Sequence, residues 1–180
     1  KYYHFEDWKK AVEGVDFVIG GVSSFGVDWF LTEVLAHLDP SVPVLSVTKG
    51  LINLDDGTLI SYPDYWQREL AKMGIEREVC AIGGPCTSYE LVFHDQTEVA
   101  FCGENTAVLK MMKEAMATDY YHISLTNDVV GLESAVALKN GYALAIAMTI
   151  GLVNREHGAD AGLHFNSQAG AFYQAVKEMR

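Results

Sequence analysis

The chain has 180 residues, 49% of them hydrophobic, which is enough to bury the core of one large domain or two small ones and is atypical of disordered proteins. Its formal net charge of −11, from 24 acidic and 13 basic residues, disfavours nucleic acid and anionic membrane surfaces as partners. The three cysteines have no CxxC spacing and the six histidines have no HxH or HxxxH spacing, so we expect neither a disulfide framework nor a metal site.

The sequence up to residue 126 alternates between apolar strands and helices. Continuous apolar runs are typical of parallel strands that are buried on both faces, and the segments between them have helical spacing. The alternation indicates βαβ units and a mostly parallel sheet. The predicted strands are 15–22, 42–47, 77–84, 97–103 and 120–126, the predicted helices are 6–14, 23–38, 63–74 and 104–116, and a turn is predicted at 55–57.

A long helix is predicted after the last strand. Asn127 or Asp128 can cap it, and the residues from there to about Val153 are rich in Ala, Leu, Ile and Met without strand alternation. A loop follows, and a further helix begins with Asn166 or Ser167 as its N-cap.

These patterns predict an α/β protein in two parts. Residues 1–126 form a mostly parallel sheet with its helices, and residues 127–180 form the beginning of an all-helical domain. Ligands of open α/β sheets bind at the carboxyl ends of the strands, where we expect residues 20–24 and 47–50 to lie.

No segment resembles a membrane span or a signal peptide. The longest nearly apolar run, residues 142–153, is shorter than the roughly 20 residues that cross a bilayer. Residues 1–10 lack the apolar core of a signal peptide. We therefore expect a soluble, cytoplasmic protein without a membrane partner.

Two lysines have surroundings that suit a ligand site. Lys49 follows a buried strand and precedes Gly50, and is either a solvated loop lysine or a cation at the ligand edge of the sheet. Lys139, followed by Asn140, has small and apolar helix neighbours. It either extends along an apolar surface to water, or lies in a cleft where desolvation would lower its pKa and prepare it for proton transfer.

The turn after the third predicted strand also has two interpretations. Gly83 and Gly84 allow a tight turn, Pro85 stiffens it, and Thr87 or Ser88 can cap the following helix. Such a turn either directs backbone N–H groups at an anion or a carboxamide, or only connects a strand to a helix.

Three sequence motifs follow one another in a characteristic order along the chain. "VTKGL" follows one apolar strand, "GGPCTSYE" follows the next, and "TNDVVGLESAVALKN" leads into the helical part. This succession resembles the NAD(P)-dependent sn-glycerol-3-phosphate dehydrogenase family, with its patterns (S/T)-K-G, G-P-(S/A)-x-A-x-E and T-x-D-x-x-G-x-E-x-x-x-A-L-K-N, and it implies a Rossmann-like nucleotide domain that lacks its first strands. The last pattern is matched by Thr126, Asp128, Gly131, Glu133, Ala137, Leu138, Lys139 and Asn140.

The resemblance implies a reaction and a set of site residues. The family interconverts sn-glycerol 3-phosphate, a small phosphorylated substrate, and glycerone phosphate by hydride transfer with NAD or NADP. Lys139 resembles the catalytic lysine that exchanges the proton of the substrate's C2 oxygen, and Asn140 resembles its neighbour at the substrate. Lys49 resembles the second active-site lysine, which is catalytic and lies near both substrate and nicotinamide.

The same resemblance implies which residues contact the dinucleotide. Gly84, Pro85 and Cys86 lie at a cofactor-binding turn, where Cys86 replaces the family's usual Ser or Ala. Ser24 and Phe25 lie in a loop that passes close to the cofactor. Residues that choose between NAD and NADP lie outside the matched segments, and a homodimer is a fair expectation.

Some family features have no counterpart in this sequence. No G-x-G-x-x-G turn occurs, the phosphate-gripping N-R-N segment is missing, and Gln168 stands where the family often has Lys. The sequence therefore looks like the middle of a dehydrogenase. The alternatives are a related two-domain dehydrogenase for another 2-hydroxy or 2-oxo substrate, or a non-catalytic fragment or assembly module.

Overall fold

The computed structural model describes residues 1–158 and 165–179. The chain divides into two compact units, Lys1–Glu133 and Ser134–Arg180. The division after Glu133 falls inside a long helix that begins at Val129, whereas the sequence predicts a boundary near residue 126.

The first unit contains a five-stranded sheet. The strands are β1 (Val18–Gly20), β2 (Val44–Ser46), β3 (Leu51–Asn53), β4 (Leu59–Ser61), β5 (Val79–Gly83), β6 (Thr97–Cys102) and β7 (Tyr121–Thr126). The sheet has the order β1-β2-β5-β6-β7, whereas β3 and β4 pair with each other as a separate antiparallel hairpin. Strands β1, β2 and β5 are parallel, β6 is antiparallel to β5, and β7 is parallel to β6. The predicted α/β fold with a mostly parallel sheet is confirmed.

Two features of the sheet differ from the sequence-based expectation. The hairpin β3–β4 was predicted only as a turn at 55–57, because each of its strands has three residues and too few apolar positions to form a pattern. Strand β6 reverses direction because the connection from β5 contains only a five-residue helix, Ser88–Val92, and does not form a full crossover.

Most predicted helices are present with shifted ends. They are α1 (Trp8–Ala11), α2 (Val27–Phe30), α3 (Tyr62–Lys72), α4 (Ser88–Val92), α5 (Thr106–Met116), α6 (Val129–His157) and α7 (Phe165–Glu178). A 3-10 turn at Ser24–Gly26 leads into α2, and a π-helical stretch at Leu31–Leu35 follows it. The predicted cap of α7 at Asn166 or Ser167 is wrong, since the helix already begins at Phe165. Part of the predicted loop before α7, residues 159–164, lies outside the described residues.

The sheet separates two apolar clusters. Consecutive residues of β2 point to opposite faces, so that Val44 joins one cluster and Leu45 the other. The first cluster packs α2 and α3 against the sheet, and the second packs α5 against it. The most buried members are Leu35, Trp66 and Leu70 in the first cluster, and Phe101, Leu109 and Met112 in the second.

Helix α6 contains the apolar run that the sequence suggested was too short for a bilayer. The helix has 29 residues, and by length and composition alone it could cross a membrane. An apolar helix of this kind is also typical of the centre of a helical domain.

Arg77 joins the helical segment before β2 to the strand that follows α3. Its side chain is 6% exposed, and the Nη1 group donates to the carbonyl oxygens of Asp39 at 2.8 Å and Val42 at 2.5 Å. The Nη2 group donates to those of Leu38 at 2.6 Å and Leu35 at 3.3 Å. Burial lowers the pKa of Arg77, but the guanidinium still supplies the planar set of donors that these carbonyls need.

Replacing this guanidinium should destabilise the protein. Arg77→Lys keeps the charge but cannot reach four carbonyls, so we expect the free energy of unfolding to fall by about 2–4 kcal/mol. Urea unfolding measures the change, with Arg68→Lys on the exposed side of α3 as the control. Equal unfolding midpoints for the two variants would contradict this role of Arg77.

Candidate active site at the carboxyl edge of the sheet

The parallel strands β1, β2 and β5 bring three loops to one edge of the sheet. The strands end at Gly20, Ser46 and Gly83, and their pairing places these ends side by side. The loops that follow these strands carry Lys49 and the residues that were predicted to contact the cofactor. Residues 20–24 and 47–50 therefore lie at the carboxyl edge of the sheet, as expected, and their binding of a ligand stays a prediction.

The backbone on both sides of Lys49 is fixed. Thr48 Oγ1 donates to the carbonyl oxygen of Val22 at 2.8 Å, which ties the loop after β2 to the loop after β1. Gly50 has a φ of +140°, and a Cβ there would lie 2.8 Å from the ring of Tyr62. The Lys49 side chain itself is exposed, so its base is held while its ammonium can reach a ligand.

Lys49, Gly84 and Cys86 line one cavity of about 210 Å³. Its volume is below that of a typical drug-sized pocket, so it suits one ring of a larger ligand. Pro85 is exposed and lies between two of the lining residues. The complete lining is Val47, Lys49, Ile82, Gly83, Gly84, Cys86, Val99 and Tyr121.

Gly84 allows the turn after β5 to pass close to β6. Its φ is +141°, and a Cβ there would lie 2.9 Å from Val99 Cα and 3.0 Å from the carbonyl oxygen of Glu98. Only glycine combines this backbone angle with so close an approach. A cavity with an apolar wall, a Gly-Pro turn and a lysine has the size and the polar groups that suit a nicotinamide ring with its carboxamide.

Ser24 and Phe25 lie at the same edge but do not line this cavity. They belong to the turn Ser24–Gly26 after β1, and Phe25 is 99% exposed. An exposed aromatic ring beside a ligand edge can stack against a planar group. The contacts of both residues with the cofactor therefore stay predictions.

Lys139 and Asn140 lie on α6 in the second unit. The Lys139 side chain is half-buried and Asn140 is exposed. One helical turn away, Val136 is buried, which agrees with the predicted apolar surroundings of the lysine. The catalytic and substrate-binding roles of the two residues stay predictions.

The start of α6 explains part of the long motif. Asp128 Oδ1 accepts a hydrogen bond from the backbone N–H of Gly131 at 2.8 Å and so caps the helix. A Cβ on Gly131 would lie 2.2 Å from Asp128 Oδ2, so the glycine is needed for the cap. Asn127 Nδ2 donates to the carbonyl oxygen of Gly103 at 2.8 Å and anchors this corner to the sheet. Asp128 and Gly131 of the motif therefore have a structural role at the start of the helix.

Glu133 is a buried charged residue whose properties the sequence did not reveal. It appears there only as one letter of the motif, whereas its side chain is 1% exposed and its Oε2 has no hydrogen-bond partner in the described part of the chain. Burial, followed by repulsion from Asp64, raises the pKa of Glu133 from 4.5 to about 7, while Lys49 acts to lower it. The sequence signal that could have indicated this is an acidic residue within an apolar helical stretch.

The three cysteines differ in burial. Burial raises the pKa of the Cys80 thiol and raises that of Cys102 to about 12, so both remain neutral. Cys86 is exposed at the cavity. Within residues 1–158 and 165–179, no group of three His, Cys, Asp or Glu side chains could hold a metal ion.

Comparison with known proteins identifies the family. The family model described as "NAD-dependent glycerol-3-phosphate dehydrogenase N-terminus" matches residues 3–109. The chain belongs to this family. The NADP(+)-dependent glycerol-3-phosphate dehydrogenase of Archaeoglobus fulgidus is 32% identical to it over 152 residues, which are 84% of this chain and 44% of that protein. The chain thus spans about half the length of the curated relatives that it matches.

Solved structures of the family share the fold. A glycerol-3-phosphate dehydrogenase from Plasmodium falciparum matches with a TM-score of 0.75 and 20% identity over 93% of this chain and 43% of that one. The corresponding enzyme from Coxiella burnetii matches with a TM-score of 0.72 and 21% identity over 96% of this chain and 48% of that one. At this identity the likeness supports the Rossmann-type fold and nothing finer.

A side chain at Gly84 should disrupt the turn that forms the cavity. Gly84→Ala places a Cβ against β6 in a strained backbone conformation, so we expect a loss of stability of about 1–3 kcal/mol and weaker dinucleotide binding. Thermal unfolding and NADH titration measure the two effects. Gly151→Ala is the control, because a Cβ there meets nothing within 4 Å and should be neutral or stabilising. Equal effects of the two substitutions would contradict the role of Gly84.

Glu133 should make stability depend on pH. A carboxyl group whose pKa is raised on folding favours the folded state at low pH, and this contribution disappears as the pH rises from about 4.5 through about 7. Glu133→Gln removes the effect, so the variant should match the parent near pH 4.5 and be more stable at pH 8 by at most about 3 kcal/mol. Urea unfolding at both pH values measures this. The control is Glu98→Gln, at an exposed position, and a pH-independent difference for Glu133→Gln would contradict the prediction.

Proposed function

We propose that the whole protein is an oxidoreductase that interconverts sn-glycerol 3-phosphate and glycerone phosphate with NAD or NADP. The observation that carries the proposal is membership of the glycerol-3-phosphate dehydrogenase family, together with the lysine- and glycine-lined cavity at the ligand edge of the sheet. Family membership also favours this substrate over those of other two-domain dehydrogenases, because the matched model is specific to one enzyme family.

The proposed cofactor contacts follow the loops at the sheet edge. Gly84, Pro85 and Cys86 would hold the nicotinamide end, and Ser24 and Phe25 would lie beside the dinucleotide after β1. The bound dinucleotide supplies or accepts a hydride at C2 of the substrate. Backbone N–H groups at the Gly84 turn are suited to the carboxamide of the ring. The named activity of the Archaeoglobus fulgidus relative is NADP(+)-dependent, but either dinucleotide fits the proposal for this chain.

The two lysines and Asn140 would provide the proton chemistry. Hydride transfer to the carbonyl carbon creates negative charge on O2, and Lys139 would donate a proton to that oxygen. Lys49, beside the cavity, would stabilise the same charge as a second cation, a contribution of several kcal/mol in a site that excludes water. Asn140 would orient the substrate by accepting and donating hydrogen bonds.

Location and assembly are part of the same proposal. We propose a cytoplasmic protein that acts as a homodimer, with the boundary between nucleotide and helical domains near residue 126. The interpretation of α6 as a domain helix and not a membrane span is supported by Glu133 and Lys139 in its first half, since charged residues are costly within a bilayer.

The alternative of a non-catalytic fragment or assembly module is tested by binding. Titration of this chain with NADH, followed by fluorescence, separates the two cases. Dissociation constants in the micromolar range would oppose the inert alternative, whereas no binding at millimolar NADH would favour it. The Gly84→Ala variant then reports whether the binding uses the proposed cavity.

The proposed catalytic role of Lys139 predicts a large kinetic effect. In the whole enzyme, Lys139→Ala should lower kcat by about 10²–10⁴-fold while the fold is retained, because the proton donor for O2 is lost. Steady-state kinetics with glycerone phosphate and NADH measure kcat, and circular dichroism measures the fold. The control is Lys110→Ala on the exposed face of α5. A kcat of Lys139→Ala near that of the parent would overturn the assignment.

A further inference from the structure

Tyr121 lies at the carboxyl edge of β1, β2 and β5 although it is the first residue of its own strand. Strand β6 runs antiparallel to β5, and β7 is parallel to β6, so β6 and β7 begin where the other three strands end. Gly83 at the end of β5 pairs with Ala100, and Tyr121 pairs with Thr97. If all five strands were parallel, Tyr121 would lie at the opposite edge. The reversed direction of β6 therefore adds a residue to the candidate site that the sequence did not indicate.

The Tyr121 side chain combines an enclosed ring with a hydroxyl that has no protein partner. The residue is 8% exposed and its ring packs in the second apolar cluster. Within residues 1–158 and 165–179 its hydroxyl makes no hydrogen bond, yet it is not one of the fully enclosed atoms without a partner, which are Arg77 Nε and Glu133 Oε2. The hydroxyl therefore opens into the cavity that Tyr121 lines. A phenylalanine would fill the same space without a polar group that needs a partner, so the hydroxyl suits a ligand.

The side chains of the cavity supply more donors than acceptors. Among the described residues that line it, Lys49 carries an ammonium, which only donates, and Cys86 carries a thiol, which accepts weakly. The lining residues other than these two and Tyr121 are glycines or apolar. Burial, followed by repulsion from Cys86, raises the pKa of Tyr121 above its ordinary value, so the hydroxyl stays protonated and neutral. Its oxygen is therefore the side-chain acceptor to which an N–H group of a ligand can donate.

We propose that the Tyr121 hydroxyl binds the carboxamide of the nicotinamide ring by accepting a hydrogen bond from the amide nitrogen. The proposal deepens the proposed function and rests on it, because that function places the ring in this cavity. The carboxamide oxygen would accept from backbone N–H groups of the Gly84 turn, which leaves the nitrogen in need of an acceptor. With both ends of the carboxamide held, the ring has one orientation and presents one face to the substrate. Tyr121 is thus a cofactor-binding residue that orients the hydride transfer.

The direct test compares two dinucleotides in Tyr121→Phe, which removes the hydroxyl and keeps the ring. In the whole protein, the Kd for NADH should rise by about threefold to tenfold, as expected for the loss of one hydrogen bond. Reduced 3-acetylpyridine adenine dinucleotide has a methyl group in place of the amide nitrogen, so its Kd should change by less than about twofold. Fluorescence titration measures both constants, and thermal unfolding should be unchanged because the hydroxyl has no protein partner to lose.

The matched control is Tyr120→Phe, the neighbouring tyrosine, whose ring stacks against His94 and which does not line the cavity. This variant should bind both dinucleotides as the parent does. An unchanged Kd for NADH in Tyr121→Phe, or an equal loss for the two dinucleotides, would overturn the proposal.

A second measurement needs no variant and no whole dinucleotide. In the parent protein labelled with ¹³C-tyrosine and assigned by triple-resonance experiments, nicotinamide should shift the Tyr121 Cζ signal in a saturable manner. The probe 3-acetylpyridine has the same ring and carbonyl group but lacks the amide nitrogen, so it should shift this signal much less. The Tyr120 signal should respond equally to the two probes. Equal Tyr121 shifts with both probes, or no saturable shift with nicotinamide, would likewise contradict the role of Tyr121.

Kinetics of the whole protein separate this inference from the proposed function. Tyr121→Phe should raise the KM for NADH in the reduction of glycerone phosphate by the same about threefold to tenfold. Binding of nicotinamide and NADH that depends on Tyr121, without turnover of glycerone phosphate, would support the role of Tyr121 and contradict the proposed substrate. Turnover of glycerone phosphate that is unaffected by Tyr121→Phe would support the function and overturn the role of Tyr121.

Discussion

The parallel pairing of β1, β2 and β5 is the constraint on which the site depends. Val18, Val44 and Val79 lie in register across the three strands, so the loops after them leave the sheet at nearly the same height. Parallel strands of this kind need both faces covered, which the two apolar clusters provide. Without this pairing, Lys49 and the Gly84 turn, which are 35 positions apart in the sequence, would not share a cavity.

The sequence was sufficient to predict those parts of the fold that apolar runs and the general rule for ligand binding at carboxyl strand ends determine. Apolar runs located the five sheet strands, and the rule for carboxyl ends placed residues 20–24 and 47–50 at the ligand edge. The Gly84 turn was expected near the cofactor only from the family resemblance. The sequence was insufficient to predict how the strands pair and in which direction they run. The direction of β6 and the hairpin β3–β4 are set by pairings that leave little trace in strands of three to six residues. The relation of Lys139 to the cavity was expected from the family resemblance and stays a prediction.

The buried charges show a second limit of sequence reasoning. Arg77 and Glu133 appear in the sequence as ordinary charged residues beside apolar runs, and such residues are usually solvated. Their environments are nevertheless opposite, because Arg77 donates to four backbone carbonyls, whereas Glu133 Oε2 has no hydrogen-bond partner among the residues that the structure describes. One is explained by stability alone. The other is a buried acid without a hydrogen bond to one of its oxygens, a costly arrangement of the kind that occurs at functional sites.

The central claim is that the edge cavity holds the nicotinamide end of a dinucleotide. A crystal structure of the protein with NADH bound tests it most directly. Our account predicts density for the nicotinamide ring in the cavity lined by Lys49, Gly84 and Tyr121, with the rest of the dinucleotide extending past Phe25. Bound NADH with its nicotinamide elsewhere and this cavity empty would contradict it.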